Sequence, residues 1–244
     1  MILSLFFGAL TRFFGQFDSL AWAIVRGICN GTAISMMFSL IINCMMRSWA
    51  MFRSSTYGDE SYLTHTLPIK RETCYTAKVL TSTVGLFIGM LVILITLFVM
   101  YWTEETKTML KAFLEPVSEY LNVPALAIVA FLFAILFLEF INFIQIGYCG
   151  LILGHRFNSN KILLSVLIGF GIYALTQGFT LVCMLVIGLA NDQFMQIFQS
   201  ADLMSMKPET ILAVAFVGAG LYLLFCVAGF VLNRSFLKKG VNVD

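Results

Sequence analysis

The sequence predicts an all-α, polytopic membrane protein with about six transmembrane helices in a single transmembrane domain, 1–244. Of its 244 residues, 60% are hydrophobic and only 11% are charged. The mean hydropathy of +0.92 is too high for a domain that must stay dissolved in water. Long apolar runs alternate with short connections, and the basic residues are concentrated in every second connection. The solvent of this chain is therefore expected to be lipid.

Five apolar runs reach the length of about 20 residues that a helix needs to cross the hydrocarbon core. They are 22–45, 80–102, 123–149, 162–190 and 210–233. A sixth run, 2–16, is apolar but short and contains Arg12. It is either a brief or tilted span or an interfacial helix, and we expect a span.

The distribution of Lys and Arg predicts the orientation of these spans. Ten of these residues fall on one side: Arg47, Arg53, Lys70, Arg71, Lys78, Arg156, Lys161, Arg234, Lys238 and Lys239. Only Lys107, Lys111 and Lys207 fall on the other. The connections 46–79 and 154–161 and the tail 234–244 are therefore expected in the cytoplasm, with 103–122 and 191–209 outside. We expect a multi-pass protein of the plasma membrane with a cytoplasmic C-terminus.

Both external connections carry apolar residues at helical spacing. In 103–122 these are Leu110, Phe113, Leu114, Val117 and Leu121. This spacing predicts a helix on the outer interface. The connection 191–209 has a similar mixture of apolar and polar residues, which predicts a helix that dips into the interface before the last span.

The cytoplasmic segment 54–72 is the most informative soluble part of the chain. Asp59 and Glu60 suit the N-terminus of a helix, where carboxylates meet unpaired amides and the positive end of the helix dipole. Pro68 ends that helix and fits the first turn of the next. One helix face would carry Tyr62, Leu63, Thr66 and Leu67. That face either docks on a partner protein or rests on lipid headgroups, and physics alone leaves both open.

The run Gly-Asp-Glu-Ser-Tyr-Leu-Thr-His-Thr-Leu-Pro-Ile-Lys-Arg, from Gly58 to Arg71, resembles the cytoplasmic segment of type-2 ABC exporter permeases. In that family a Gly-acidic-Glu-x-Tyr-Leu-Thr-x-Thr-Leu-Pro run follows the second span and precedes a long third helix. The match covers about fourteen residues. Elsewhere the likeness is architectural, and the chain departs from the family at its start, where an apolar run replaces the usual charged amphipathic helix.

The resemblance implies that this segment is a coupling helix, which docks into a groove on a separate ABC ATPase subunit. The coupling residues would be Asp59, Glu60, Tyr62, Leu63, Thr66, Leu67, Pro68 and Arg71. It also implies a homodimer with a second permease copy in a two-plus-two assembly, with ATP and Mg bound by the partner subunit.

The sequence offers no convincing chemistry of its own, so we expect no enzyme activity, no cofactor and no metal site. No phosphate-binding loop of the G-x-x-x-x-G-K-[ST] type occurs. His65 and His155 are single and far apart in sequence, and Glu104 and Glu105 lie at a span end with no suitable histidine nearby. The six cysteines form no recognisable disulfide pattern.

Polar residues within the spans are candidates for function, because an ionisable group in hydrocarbon is costly. Glu139, Asn142 and Gln145 recur every three residues of one span. They either line the translocation path or the dimer seam, or form hydrogen bonds that hold the bundle together. The functional interpretation is favoured for Glu139 and the structural one for Asn142 and Gln145. The motifs Gly27-x-x-x-Gly31, Gly85-x-x-x-Gly89 and Gly150-x-x-x-Gly154 predict close helix contacts, either within the subunit or at a dimer seam.

The sequence therefore predicts the transmembrane permease subunit of an ATP-driven ABC exporter that works by alternating access. We expect an amphipathic or hydrophobic cargo, with a peptide favoured and a drug or lipid possible. A secondary transporter or channel without an ATPase partner is the alternative, and a non-transporting membrane scaffold comes third.

Overall fold

A computed structural model of the chain describes residues 2–17, 19–58, 70–157, 160–190 and 207–238. These residues contain helices and turns and no strand. The described helices, in chain order, are α1 (Ile2–Phe14), α2 (Leu20–Tyr57), α3 (Arg71–Tyr101), α4 (Glu104–Leu121), α5 (Ala125–Gly154), α6 (Lys161–Ala190) and α7 (Pro208–Lys238). The all-α prediction is confirmed.

Five of these helices, α2, α3, α5, α6 and α7, are long and apolar enough to cross a membrane. A helix of 30 residues, the length of α5, rises about 45 Å, more than the roughly 30 Å of the hydrocarbon core. The chain is thus a multi-pass membrane protein. Helix α1 has 13 residues, or about 20 Å, and the sixth span stays a prediction.

Two helices continue well beyond their apolar runs. Helix α2 extends past position 45 to Tyr57, and α3 begins at Arg71, before its apolar run starts at 80. Between them lie 59–69, which are outside the described residues, as are 191–206. Helix α4 confirms the helix expected in 103–122, and its first turn is closed by an ion pair between Glu104 and Lys107 at 2.6 Å.

The described residues form two compact units, and each is considered by itself. Unit 1 contains residues of 1–51 and 77–113, and unit 2 contains residues of 52–76 and 114–244. In unit 1 one buried cluster consists of Ala33, Met37 and Met100, with Phe7 and Tyr101 among the partly buried residues packed against it. A Cβ at Gly8 of α1 would lie 3.0 Å from Met100 Cγ, so glycine allows α1 to pack closely on α3.

Unit 2 is built around α5, with α6 and α7 packed against it. A Cβ at Gly150 would lie 2.5 Å from the carbonyl oxygen of Ser165, and one at Gly154 would overlap Ser165 itself. These two glycines therefore form a packing seam between α5 and α6 within the subunit. By contrast, Gly27 and Gly31 of unit 1 have open space around their Cβ positions among the described residues.

Candidate functional site: the flanks of the 54–72 segment

The candidate site lies in unit 2, where α2 ends and α3 begins. Gly58 is the last described residue before the segment, and its N–H donates to the carbonyl of Ser54 at 3.0 Å. A Cβ at Gly58 would lie 2.7 Å from that carbonyl oxygen, so only glycine fits at this position. Gly58 is also the first residue of the permease-like run.

Most of the predicted coupling residues fall outside the described part of the chain. These are Asp59, Glu60, Tyr62, Leu63, Thr66, Leu67 and Pro68. Arg71, the eighth, is the first residue of α3 and is exposed. The structure therefore describes how the segment is attached at both ends, and its docking face stays a prediction.

The leading flank is held by a stacked pair of rings. Tyr57 is the last residue of α2. Its ring stacks on the ring of His155, with the ring centroids 4.0 Å apart and the planes inclined by 18°. His155 follows α5 directly, is buried, and its Nδ1 lies 2.9 Å from the carbonyl oxygen of Leu151. Burial lowers the pKa of His155, because the charged imidazolium would lose its hydration, and nearby Arg53 and Lys161 act in the same direction. The hydrogen bond to Leu151 opposes this shift only in part, so the neutral ring is favoured more than in a free histidine.

Behind this pair lies an aromatic cluster of Phe52, Tyr75 and Tyr148, each at most 1% exposed. Phe52 stacks on Tyr148 with ring centroids 4.5 Å apart, and Tyr75 meets both rings edge to face at 6.3 and 6.2 Å. Aromatic pairs in such geometries contribute about 0.5–1.5 kcal/mol each beyond the area they bury. The cluster joins the end of α2 and the start of α3 to α5.

A buried amide connects this cluster to the last helix. Asn233 of α7 is completely buried, and its Nδ2 donates to the hydroxyl of Tyr75 at 3.1 Å and to the carbonyl oxygen of Gln145 at 2.9 Å. One side-chain amide therefore ties together α3, α5 and α7. Within the described residues, Asn233 Oδ1 and Gln145 Oε1 accept no hydrogen bond.

The trailing flank is held by an ion pair. Arg234 of α7 donates to Glu72 Oε2 from Nε at 2.9 Å and from Nη2 at 2.6 Å, and Lys238 Nζ lies 3.9 Å from Oε1. These hydrogen bonds and positive charges lower the pKa of Glu72, so its carboxylate stays charged at neutral pH. The first turn of α3 is thereby fixed to the end of α7.

One residue of the polar stripe of α5, Gln145, contacts the same neighbouring helix, α7. Gln145 is buried, and its Oε1 is 2.8 Å from the Cβ position of Gly229. Asn142 is buried as well, and Cys226 Sγ donates to the carbonyl of Leu138 at 3.4 Å. Gln145 therefore sits in a close contact between α5 and α7, and a role for it in the translocation path stays a prediction.

Glu139 is half-buried and lies near a second polar group. Tyr222 of α7 shares a hydrogen bond with Gln177 of α6, and the side chains of Glu139 and Tyr173 are close enough to act on it electrostatically. Each of the three helices of this bundle thus contributes polar side chains to one place. An ionisable side chain within a span usually faces other polar groups, as Glu139 does here.

Among the described residues, no group of three or more His, Cys, Asp or Glu side chains could hold a metal ion. All six cysteines are free thiols. Comparison with models of protein families, with curated proteins and with solved structures found no match. The arguments for function therefore rest on the residues themselves.

Sequence reasoning missed the residues that hold the flanks. Asn233 is the last residue of the apolar run 210–233 and gave the clearest signal, because an amide in a span needs a hydrogen-bond partner. Tyr75 and Glu72 lie among ordinary polar residues of a connection, and nothing in their spacing identifies α7 as their partner.

Proposed function

We propose that the chain is the transmembrane permease subunit of an ATP-driven ABC exporter. It would move an amphipathic or hydrophobic cargo across the plasma membrane by alternating access, with a peptide as the favoured cargo and a drug or lipid as alternatives. The permease-like run from Gly58 to Arg71 carries the proposal, and the five long apolar helices are consistent with it.

The anchored flanks supply a physical route for coupling. Tyr57 stacks on the residue that follows α5, and Glu72 is paired with Arg234 of α7. A movement of the segment between these residues would therefore be transmitted to α5 and α7 through these contacts. An alternating-access cycle needs such a connection between the site of ATP hydrolysis and the spans.

The partners follow from the same proposal. ATP and Mg would be bound by an ABC ATPase subunit that receives the Tyr62 and Leu63 face in a groove. A second permease copy would complete a two-plus-two assembly. The open glycine face of Gly27 and Gly31 favours a helix contact with that copy, because glycines let two helix backbones approach closely.

The test of this proposal is the mass of the assembly purified in mild detergent after co-expression with a candidate ABC ATPase from the same organism. We expect two permeases and two ATPases, and ATP hydrolysis that depends on the permease. A monomeric permease that transports cargo without any ATPase would contradict the proposal.

The polar group around Glu139 favours the second candidate, a secondary transporter or channel without an ATPase. In that case Glu139 would carry the coupling proton, and Glu139→Gln would abolish pH-dependent transport in proteoliposomes that lack ATP. In an exporter, Glu139→Gln should instead alter cargo-stimulated ATP hydrolysis and leave the two-plus-two assembly intact. Glu209→Gln, at the start of α7, is the matched control.

A further inference from the structure

Unit 1 contains an apolar groove of about 300 Å³ between α2 and α3. Its walls are Ile34, Met37, Phe38 and Ile41 of α2 and Ile93 and Leu97 of α3. Met37 is buried and forms part of the core, whereas Phe38 is 68% exposed and Leu97 is 38% exposed. The groove is therefore open at Phe38 and Leu97, and around a helix long and apolar enough to span a membrane we expect lipid chains there.

One end of the groove is polar. Tyr101 closes it, and its hydroxyl donates to Asn30 Oδ1 at 2.7 Å. Arg26 lies one helical turn before Asn30 on the same face of α2 as Ile34. Two residues before Tyr101, the carbonyl of Val99 accepts a hydrogen bond from Arg12 Nη1 at 3.4 Å.

The two arginines belong to the same corner of unit 1. Arg26 approaches the end of α1, where its guanidinium carbon is 3.4 Å from the Cβ position of Gly15. Both arginines are exposed. Phe14 stacks on Trp22 in this corner at 5.1 Å, and tryptophan next to basic residues is typical of the level of lipid headgroups.

The groove together with its polar end at Asn30 has the length of one lipid chain. Asn30 and Ile41 are eleven positions apart on α2, which is about 17 Å along a helix. One leaflet contributes about half of the roughly 30 Å hydrocarbon core. An acyl chain that starts beside Asn30 would therefore reach the bilayer midplane near Ile41.

We propose that unit 1 binds one anionic phospholipid, with an acyl chain in the groove and the headgroup phosphate against Arg12 and Arg26. Guanidinium groups bind phosphate oxygens with paired, charge-assisted hydrogen bonds, which a zwitterionic headgroup would weaken through its own positive charge. The inference is independent of the proposed exporter function, because it uses only contacts within unit 1.

Native mass spectrometry of the delipidated full chain tests the headgroup site, using phosphatidylglycerol and phosphatidylcholine with identical chains. We expect one tightly held phosphatidylglycerol. The preference for it should fall about 5-fold for Arg26→Gln and about 30-fold for Arg12→Gln with Arg26→Gln. Arg47→Gln, an exposed arginine elsewhere on α2, is the matched control and should keep the preference. Equal binding of the two lipids by the wild type, or an equal loss in the control, would overturn the proposal.

The groove is tested separately by filling it. Leu97→Trp should displace the bound lipid whatever its headgroup, whereas Leu94→Trp, an exposed change on α3 outside the groove, should not. If a variant fails to insert, brominated phosphatidylglycerol added to the wild type provides the second measurement. It should quench Trp102 and Trp22 more strongly than brominated phosphatidylcholine. Equal quenching by the two lipids, or displacement of phosphatidylglycerol by a hydrophobic peptide, would contradict the proposal.

Discussion

The buried clusters of the two units consist of different types of residue. Unit 1 packs Ala33, Met37 and Met100 together, which are small or flexible apolar side chains. Unit 2 packs Phe52, Tyr75 and Tyr148 as oriented rings and fixes them with the amide of Asn233. Methionine adapts its shape to its surroundings, whereas stacked rings and buried hydrogen bonds select one arrangement. The side-chain arrangement of unit 2 is therefore most strictly determined where the candidate coupling segment is attached.

The largest expected effect comes from the aromatic cluster. Phe52→Ala removes a ring that is 1% exposed and should lower the free energy of unfolding by about 3–5 kcal/mol. Met37→Leu, a nearly volume-conserving change in the core of unit 1, should cost less than about 1.5 kcal/mol. Denaturant unfolding of both variants in the same detergent measures the difference. Equal losses of unfolding free energy in the two variants would show that the two clusters do not differ in this way.

A smaller effect is expected from the amide that joins three helices. Asn233→Leu removes both hydrogen bonds donated by Nδ2 and should cost about 1–2 kcal/mol, the range for interhelical hydrogen bonds in membranes. Val231→Leu, an exposed change on the same helix, should stay within about 0.5 kcal/mol of the wild type. A stability for Asn233→Leu equal to that of Val231→Leu would show that packing alone holds α7 in place.

The smallest effect is the pH dependence of the Tyr57 and His155 pair. Burial lowers the pKa of His155 in the folded chain, so the unfolded chain takes up its proton first as the pH falls. This contribution to stability is thus fully present above about pH 6.5 and declines as the pH drops below it. His155→Phe keeps the stacked ring and should remove the decline. His65→Phe, a change at the other histidine, should leave the decline in stability unchanged. If His65→Phe removes the decline and His155→Phe does not, the pH dependence does not come from His155.

The apolar runs were sufficient to predict the long helices but not their ends. The run 22–45 marks where α2 leaves hydrocarbon, yet the helix continues to Tyr57. Residues such as Arg47 and Arg53 are good helix formers, so they end the membrane span without ending the helix. Hydropathy reports the surrounding solvent, whereas the end of a helix depends on the backbone conformation of the residues there, and α2 ends at Tyr57, one residue before Gly58.

The flanking contacts could not be read from the sequence because they join distant positions. Helical spacing shows which residues share a face, but not which helix covers that face. Glu72 and Arg234 are 162 positions apart, and Tyr75 and Asn233 are 158 apart. The stripe of Glu139, Asn142 and Gln145 was visible in the sequence, whereas its neighbours Tyr222 and Gly229 required the structure.

The central claim is that the segment flanked by Tyr57 and Glu72 docks on an ATPase. Leu63→Asp would bury an unpaired carboxylate in that contact, a cost of several kcal/mol and enough to weaken docking at least a hundredfold. Leu110→Asp places the same charge on α4, outside the predicted docking face, and is the matched control.

The most direct measurement is the affinity between the proposed ATPase partner and the full chain in nanodiscs, for the wild type, Leu63→Asp and Leu110→Asp. We predict that Leu63→Asp inserts normally but loses ATPase binding, and that Leu110→Asp binds like the wild type. If the Leu63→Asp variant binds the proposed ATPase partner with wild-type affinity, the segment does not dock through this face, and the coupling proposal is wrong.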